Sequence, residues 1–146
     1  MIEIIPMALG HLDAVCEIER DTFPIPWTRE DFLRELVEND LAVYFVAKDG
    51  DTVVGYGGMW HVVNEGHITN IAVAGDSRGR GIGDMLVDAL ESEARALGMI
   101  GLTLEVRVGN EPAMRLYDKH GFKIEGLRKN YYADTKEDAA VMWKYF

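Results

Sequence analysis

Residues 78–98 read RGRGIGDMLVDALESEARALG. Glycine occupies positions 79, 81 and 83 and arginine positions 78 and 80, where a helical pattern begins. Ile82, Met85, Leu86, Ala89, Leu90 and Leu97 recur at three- and four-residue spacing, and Gly98 marks the stop. A glycine inside a helix costs about 1 kcal/mol relative to alanine, so three around its start point to a need for bare backbone. A helix N-terminus offers unpaired N–H groups and the positive end of the dipole, and glycine removes the Cβ atoms that would keep a bulky anion away. The stretch reads as a phosphate or pyrophosphate cradle. Neither familiar phosphate signature fits it. A Walker A loop requires G-K-[ST], and the dinucleotide pattern counted from Gly79 would need glycine at Asp84. What remains is R-x-x-G-x-G, from Arg78 through Gly81 to Gly83. On this reading alone, a flexible strand-to-helix turn is the other explanation.

Around that loop the chain alternates between two periodicities. Residues 1–6 predict a strand and 8–22 a helix whose apolar side carries Leu9, Leu12, Val15, Cys16 and Glu19. FPIPWT (23–28) breaks the chain, and Thr28 with Asp31 predicts a capped helix over 29–38. LAVYFVAKDGDTVVGYGGMWHVV (41–63) reads as a hairpin about Asp49-Gly50-Asp51, and 65–74 as a strand entering the glycine loop. IGLTLEVRV (100–108) alternates strictly, with Leu102, Leu104 and Val106 opposite Thr103, Glu105 and Arg107. Asn110 caps a short helix with Pro112 in its first turn, and strands over 122–132 and 138–145 close the chain. The order β-α-α-β-β-β-α-β-α-β-β predicts an α/β (α+β) fold, with a mixed, mostly antiparallel sheet between helices on both faces. At 146 residues it fits one domain over 1–146.

Composition narrows the function. The chain is 48% hydrophobic and 27% charged, without a basic-then-apolar leader or an apolar run of membrane-spanning length. One cysteine, Cys16, allows no internal disulfide and fits a reducing cytoplasm. A net charge of −10 argues against binding nucleic acid through phosphate neutralisation. Residues 1–40 carry ten acids against three arginines, either as solvated helix faces or as an acidic rim for a cationic substrate. His11, His61, His67 and His120 lack metal-ligand spacing, so no metal is expected.

NIAVAGDSRGRGIGDMLVDAL (70–90) resembles the acetyl-CoA-binding segment of the GNAT acyltransferases. The resemblance implies that Ile71, Ala72 and Val73 contact the pantetheine-acetyl arm. It implies further that Arg78, Gly79, Arg80, Gly81, Ile82 and Gly83 line the pyrophosphate. LTLEVRVGNEPAMRLYDKHGF (102–122) and NYYADTKEDAAVMWKYF (130–146) resemble, more narrowly, the RimI-type protein N-terminal acetyltransferases within that family. The likeness runs from about Gly66 to the end, with PWT (26–28) in addition. It implies acetyl transfer from acetyl-CoA to a protein α-amine, with the N-terminal alanine of small-subunit ribosomal protein eighteen as acceptor. Association with tRNA-modification proteins is a further implication of the family.

By the same resemblance Glu105 is the general base, directly or through water, and Tyr117 the general acid for the leaving thiolate; Tyr117 and Asn110 both border the cofactor. A backbone N–H near Val73 stabilises developing oxyanion charge, and Trp27, Tyr131 and Tyr132 flank the peptide entrance. Taken alone, Glu105 also reads as a surface partner of Arg107, Tyr117 as a core tyrosine, and Trp27 as a staple between two helices. If residues 131 and 132 are extended, one of the two tyrosines faces substrate. Glu65 and His67 are further candidates to accept the amine proton. One carboxylate suffices: an α-amine of pKa about 7.8 costs roughly 1 kcal/mol to neutralise at pH 7, against about 4.6 for lysine. The alternatives are a polyamine or lysine-side-chain acetyltransferase, and a CoA-binding sensor or partner subunit without turnover. An acyl intermediate on Cys16 is a lesser route than direct transfer in a ternary complex.

Overall fold

The computed structural model describes residues 1–146 as a seven-stranded sheet with four helices. Its strands are β1 (Ile2–Pro6), β2 (Ala42–Asp49), β3 (Thr52–Val62), β4 (Glu65–Val73), β5 (Gly101–Arg107), β6 (Lys123–Arg128) and β7 (Ala139–Tyr145). The helices are α1 (Leu12–Thr22), α2 (Arg29–Val37), α3 (Ile82–Ala96) and α4 (Glu111–Lys119). This is the predicted order, with β6 ending at Arg128 rather than 132. The sheet runs β1-β2-β3-β4-β5-β7-β6, and every neighbouring pair is antiparallel except β4 and β5. Such a parallel pair needs a crossover, which α3 supplies.

Local chemistry accounts for the element ends. Thr28 and Asp31 form a reciprocal capping box at α2, and Asn110 Oδ1 accepts the Ala113 N–H at 3.3 Å to start α4. Gly50 turns the β2–β3 hairpin at φ 61°, and Gly98 and Gly121 follow α3 and α4 at φ 78° and 91°.

Alternation along β2 and β3 sends Tyr44, Val46 and Tyr56 to one face, where they pack with Leu12, Val15 and Phe32 of α1 and α2. The other face receives α3 through Ile82, Leu86, Val87 and Leu90. Cys16 lies in the first core, and burial pushes its thiol up. That placement makes it a packing residue and removes the acyl-carrying route.

β4 and β5 pair only at Glu65–His67 with Gly101–Thr103, then separate. β4 also bulges: Asn70 opposes Gly58 and Ile68 opposes Met59, leaving Thr69 as an extra residue. An opening results in the middle of the sheet, with the second half of β4 on one side and Leu104–Arg107 on the other.

Close approach at Gly58 supports this region, since an added Cβ would lie 2.0 Å from the buried Tyr44 ring. Gly58→Ala is expected to destabilise the fold by about 2 kcal/mol through overpacking, lowering Tm by at least about 4 °C in a thermal melt.

Candidate active site

A cavity of about 520 Å³ occupies the opening between β4 and β5. Glu105, Asn110, Tyr117, Ile71, Trp27 and Tyr132 all line it, so residues 105 positions apart in sequence converge there. A second cavity of about 500 Å³ shares Trp27, Glu105 and Tyr132 and adds Tyr131, Trp60 and His67. Both tyrosines therefore face the opening. Their rings meet edge-to-face at 5.1 Å, and residues 131 and 132 are not an extended strand, so the alternation that would turn one of them away does not apply. Trp27 does staple the break between α1 and α2, with its ring 5.2 Å from Phe32, while still lining the cavity.

Glu105 is exposed toward the opening, and its ion partner is Arg128 at 3.3 Å rather than Arg107. Arg107 instead organises the loop after β6. Its guanidinium grips both oxygens of Asp134 at 3.0 Å and lies 4.0 Å over the Tyr132 ring. That pairing holds the Asp134 carboxyl below its ordinary range. The Glu105 carboxylate, as a hydrogen-bond acceptor, pushes the Tyr131 phenol up, with burial adding to it. Tyr117 is 7% exposed, packs 5.5 Å from Phe122, and has its phenol pushed up by burial and then by Tyr132. It stays protonated throughout the neutral range. His67 and Glu65 pair with each other at 3.0 Å at the base of the opening, where the two strands last touch.

Backbone direction sorts the three β4 candidates. Ala74 donates to Val54 of β3, so alternation turns the Val73 N–H and C=O the other way, into the opening. Arg78 Nε confirms that direction by donating to Val73 O at 3.3 Å. Ile71 shares the orientation by period two. Ala72 does not: its carbonyl faces β3 beside Gly55 and its methyl is buried.

The glycine loop flanks the opening at the start of α3. Gly79 and Gly81 have φ of 79° and 76°, with nothing within 4 Å of a Cβ position, and Gly81 is the N-cap. No side chain caps α3, in contrast to α2 and α4. Its first N–H groups and open glycine backbone form a cradle that fits a diphosphate. Gly83 has a packing reason besides, because its missing Cβ would meet Leu116 of α4 at 3.3 Å. Arg80 is bound to Asp49 at 3.0 Å, so its charge is shared rather than free for an anion.

The sequence reading missed two carboxylates. Glu19 and Glu35, counted there among ten acids of a helix face or rim, are 2% and 9% exposed. Glu19 accepts from the Tyr56 hydroxyl, from Asn70 Nδ2 at 3.1 Å and from the Trp27 N–H at 2.9 Å. Glu35 accepts from the Tyr44 hydroxyl at 2.9 Å, from Asn39 Nδ2 at 2.7 Å and from Trp60 Nε1. Burial pushes both phenols up, keeping them as donors. Thr69, on the bulge, lies 3.0 Å from the Tyr44 hydroxyl and 2.9 Å from Asn70 Oδ1, its single hydrogen serving one of them. The only sequence signal was Glu19's position on an apolar helical side. The other acids of α1 and α2 support the solvated-face reading: Asp13 pairs with Arg29, and Glu30 and Asp31 with Arg34.

An uncapped glycine-rich helix start, a parted strand pair and a carboxylate with a phenol at one cavity accompany a clear family likeness, and the chain belongs to the GNAT acetyltransferase family. That family's sequence profile, Acetyltransferase (GNAT) family, matches residues 12–122. The [ribosomal protein bS18]-alanine N-acetyltransferase of Salmonella typhimurium is 35% identical over 138 residues, 93% of this chain and 92% of that protein. The N-alpha-acetyltransferase of Saccharolobus solfataricus is 36% identical over 147 residues, covering 92% and 87%. The crystal structure of the ribosomal-protein-S18-alanine N-acetyltransferase from Escherichia coli superposes with a TM-score of 0.90 at 29% identity, covering 99% of this chain and 94% of that one. The chain is an N-acetyltransferase of RimI-like type. No helix is long and apolar enough to cross a membrane.

Glu19→Ala would leave the Tyr56 hydroxyl, the Asn70 amide and the Trp27 N–H without their acceptor. The expected cost is about 3 kcal/mol or more in urea unfolding, against about 1 for Tyr56→Phe, which removes one donor.

Proposed function

We propose that the chain, as a single domain over residues 1–146, moves acetyl from acetyl-CoA to the N-terminal alanine of ribosomal protein bS18 in the cytoplasm. The carrying observation is that Glu105 and Tyr117 border one cavity between the diverging β4 and β5. The named activity of the relatives supports the acceptor. Association with tRNA-modification proteins has no support among them and forms no part of the proposal.

Acetyl-CoA supplies the thioester that is attacked. The Gly79–Gly83 backbone and the α3 N-terminus bind its diphosphate, while Ile71 and Val73, facing the opening, hold the pantetheine arm with Asn110 at the α4 end. Val73 N–H is the donor for the carbonyl oxygen as it gains charge. Trp27, Tyr131 and Tyr132 receive the acceptor peptide. Glu105 takes the proton that the amine loses as the new C–N bond forms, and Tyr117 gives its proton to the sulfur as the C–S bond breaks. A phenol held up by burial suits the second role, because it is fully protonated at neutral pH.

The test is acetyl transfer from acetyl-CoA to an Ala-starting bS18 peptide, an N-terminally blocked lysine peptide and spermidine. Transfer to the free N-terminus alone is expected, with kcat/KM about 100-fold lower in Glu105→Gln and in Tyr117→Phe. Preference for spermidine or the blocked peptide would overturn the acceptor. CoA binding without transfer to any of the three would favour a sensor. The pH profile carries a sign of its own. Activity is expected to rise as the amine (pKa about 7.8) deprotonates, with no alkaline fall from Tyr117 below about pH 10, and Tyr117→Phe lowers the plateau without moving the rise.

A further inference from the structure

Two helices of this chain carry aspartate at the third helical position, and the two residues have opposite fates. In α2, Asp31 turns back onto its own N-terminus and accepts the Thr28 N–H at 2.9 Å. In α3, Asp84 occupies the equivalent place after Gly81 yet caps nothing. Its two oxygens are taken by α4: Lys119 Nζ lies at 3.1 Å and His120 Nε2 at 2.8 Å. His120 is itself held from the other side, its Nδ1 3.4 Å from Asp88 one turn further along α3. The pairing, His120 first, holds the Asp84 carboxyl below its ordinary range. Leu116 of α4 seats against Gly83 and brings the two helices together at this point.

The geometry points to Lys119 and His120 as positioning residues that draw Asp84 away from the α3 N-terminus, keeping its N–H groups free for the diphosphate of CoA. The inference rests on the cofactor reading above. An aspartate at the third helical position beside a glycine N-cap is well placed to bond the first N–H groups, and its charge would meet an incoming anion with repulsion. The clasp removes both obstacles: it redirects the carboxylate and neutralises it. A carboxylate so placed is therefore inert toward the ligand only while α4 holds it.

The test measures CoA affinity by titration calorimetry, and kcat/KM with S-acetylpantetheine, a donor lacking the diphosphate. The set comprises the unaltered chain, Lys119→Ala/His120→Ala, Asp84→Ala, and the triple variant. Releasing Asp84 in the double variant is expected to raise the Kd for CoA about tenfold, the scale of one helix cap plus a like-charge contact, and to leave kcat/KM with S-acetylpantetheine within twofold. Asp84→Ala alone should bind CoA as the unaltered chain does, and adding it to the double variant should restore affinity. If Asp84→Ala weakens CoA as much as the double variant, or the triple variant is not rescued, the clasp is only a strut between helices and the proposal is overturned. Absence of CoA binding by the unaltered chain would overturn the cofactor reading itself, and this proposal with it.

Discussion

The rest of the site depends on one departure from sheet regularity: two parallel strands that bond at three positions and then part. A continuous β4–β5 ladder would satisfy the backbone of both strands and leave nowhere for a ligand. Parting leaves the N–H and C=O groups of Ile71 and Val73 unpaired by β5 on one side and the length from Leu104 to Arg107 unpaired by β4 on the other. Unpaired backbone at a sheet centre is costly unless something bonds it. Arg78 meets part of that need by donating to Val73 O. The bulge at Thr69 adds local twist where the separation begins.

Around the opening, polar networks fix elements that sheet pairing leaves loose. The break at residues 23–28 is anchored when the Trp27 N–H donates to buried Glu19, which also orients Asn70 on the bulged strand. Glu35 does comparable work near Tyr44 and Trp60. Across the opening, Arg107 holds the 131–138 loop by a two-point grip on Asp134 and by stacking on Tyr132. The walls nearest the proposed acceptor are thus held by charge and hydrogen bonds with defined directions. Buried carboxylates with three donors apiece tolerate little rearrangement, since removing one partner leaves the others unsatisfied.

Much of the architecture is legible in the residues. Helix and strand periods, the Thr28/Asp31 box, the Asn110 cap and the glycines after α3 and α4 are signals confined to a few neighbours, and the elements lie where those signals place them, except that β6 stops at Arg128, short of 132. Gly79 and Gly81 announce the cradle in the same way, through backbone angles that other residues adopt poorly. The resemblance to GNAT enzymes rests on those same stretches, and the family match covers them.

Partner choice is another matter. By sequence alone Arg107 is the natural partner of Glu105, two residues away on one strand face; in the fold Arg128 has that place because β6 and β7 bring it there. Ala72 reads as equivalent to Ile71 and Val73 until pairing with β3 decides which way each backbone faces. Glu35 reads only as one acid among ten, and Glu19 is marked only by its apolar helical side, since their donors stand up to 51 residues away. Asp31 and Asp84 differ only in what lies opposite: α2 meets no cation that outbids its own cap, and α3 meets Lys119 and His120. The sequence by itself determined the local conformations, because their energies arise within a turn or a strand. Only the tertiary structure decided which charges meet and which backbone groups stay open, because those energies depend on distances that chain neighbours do not set.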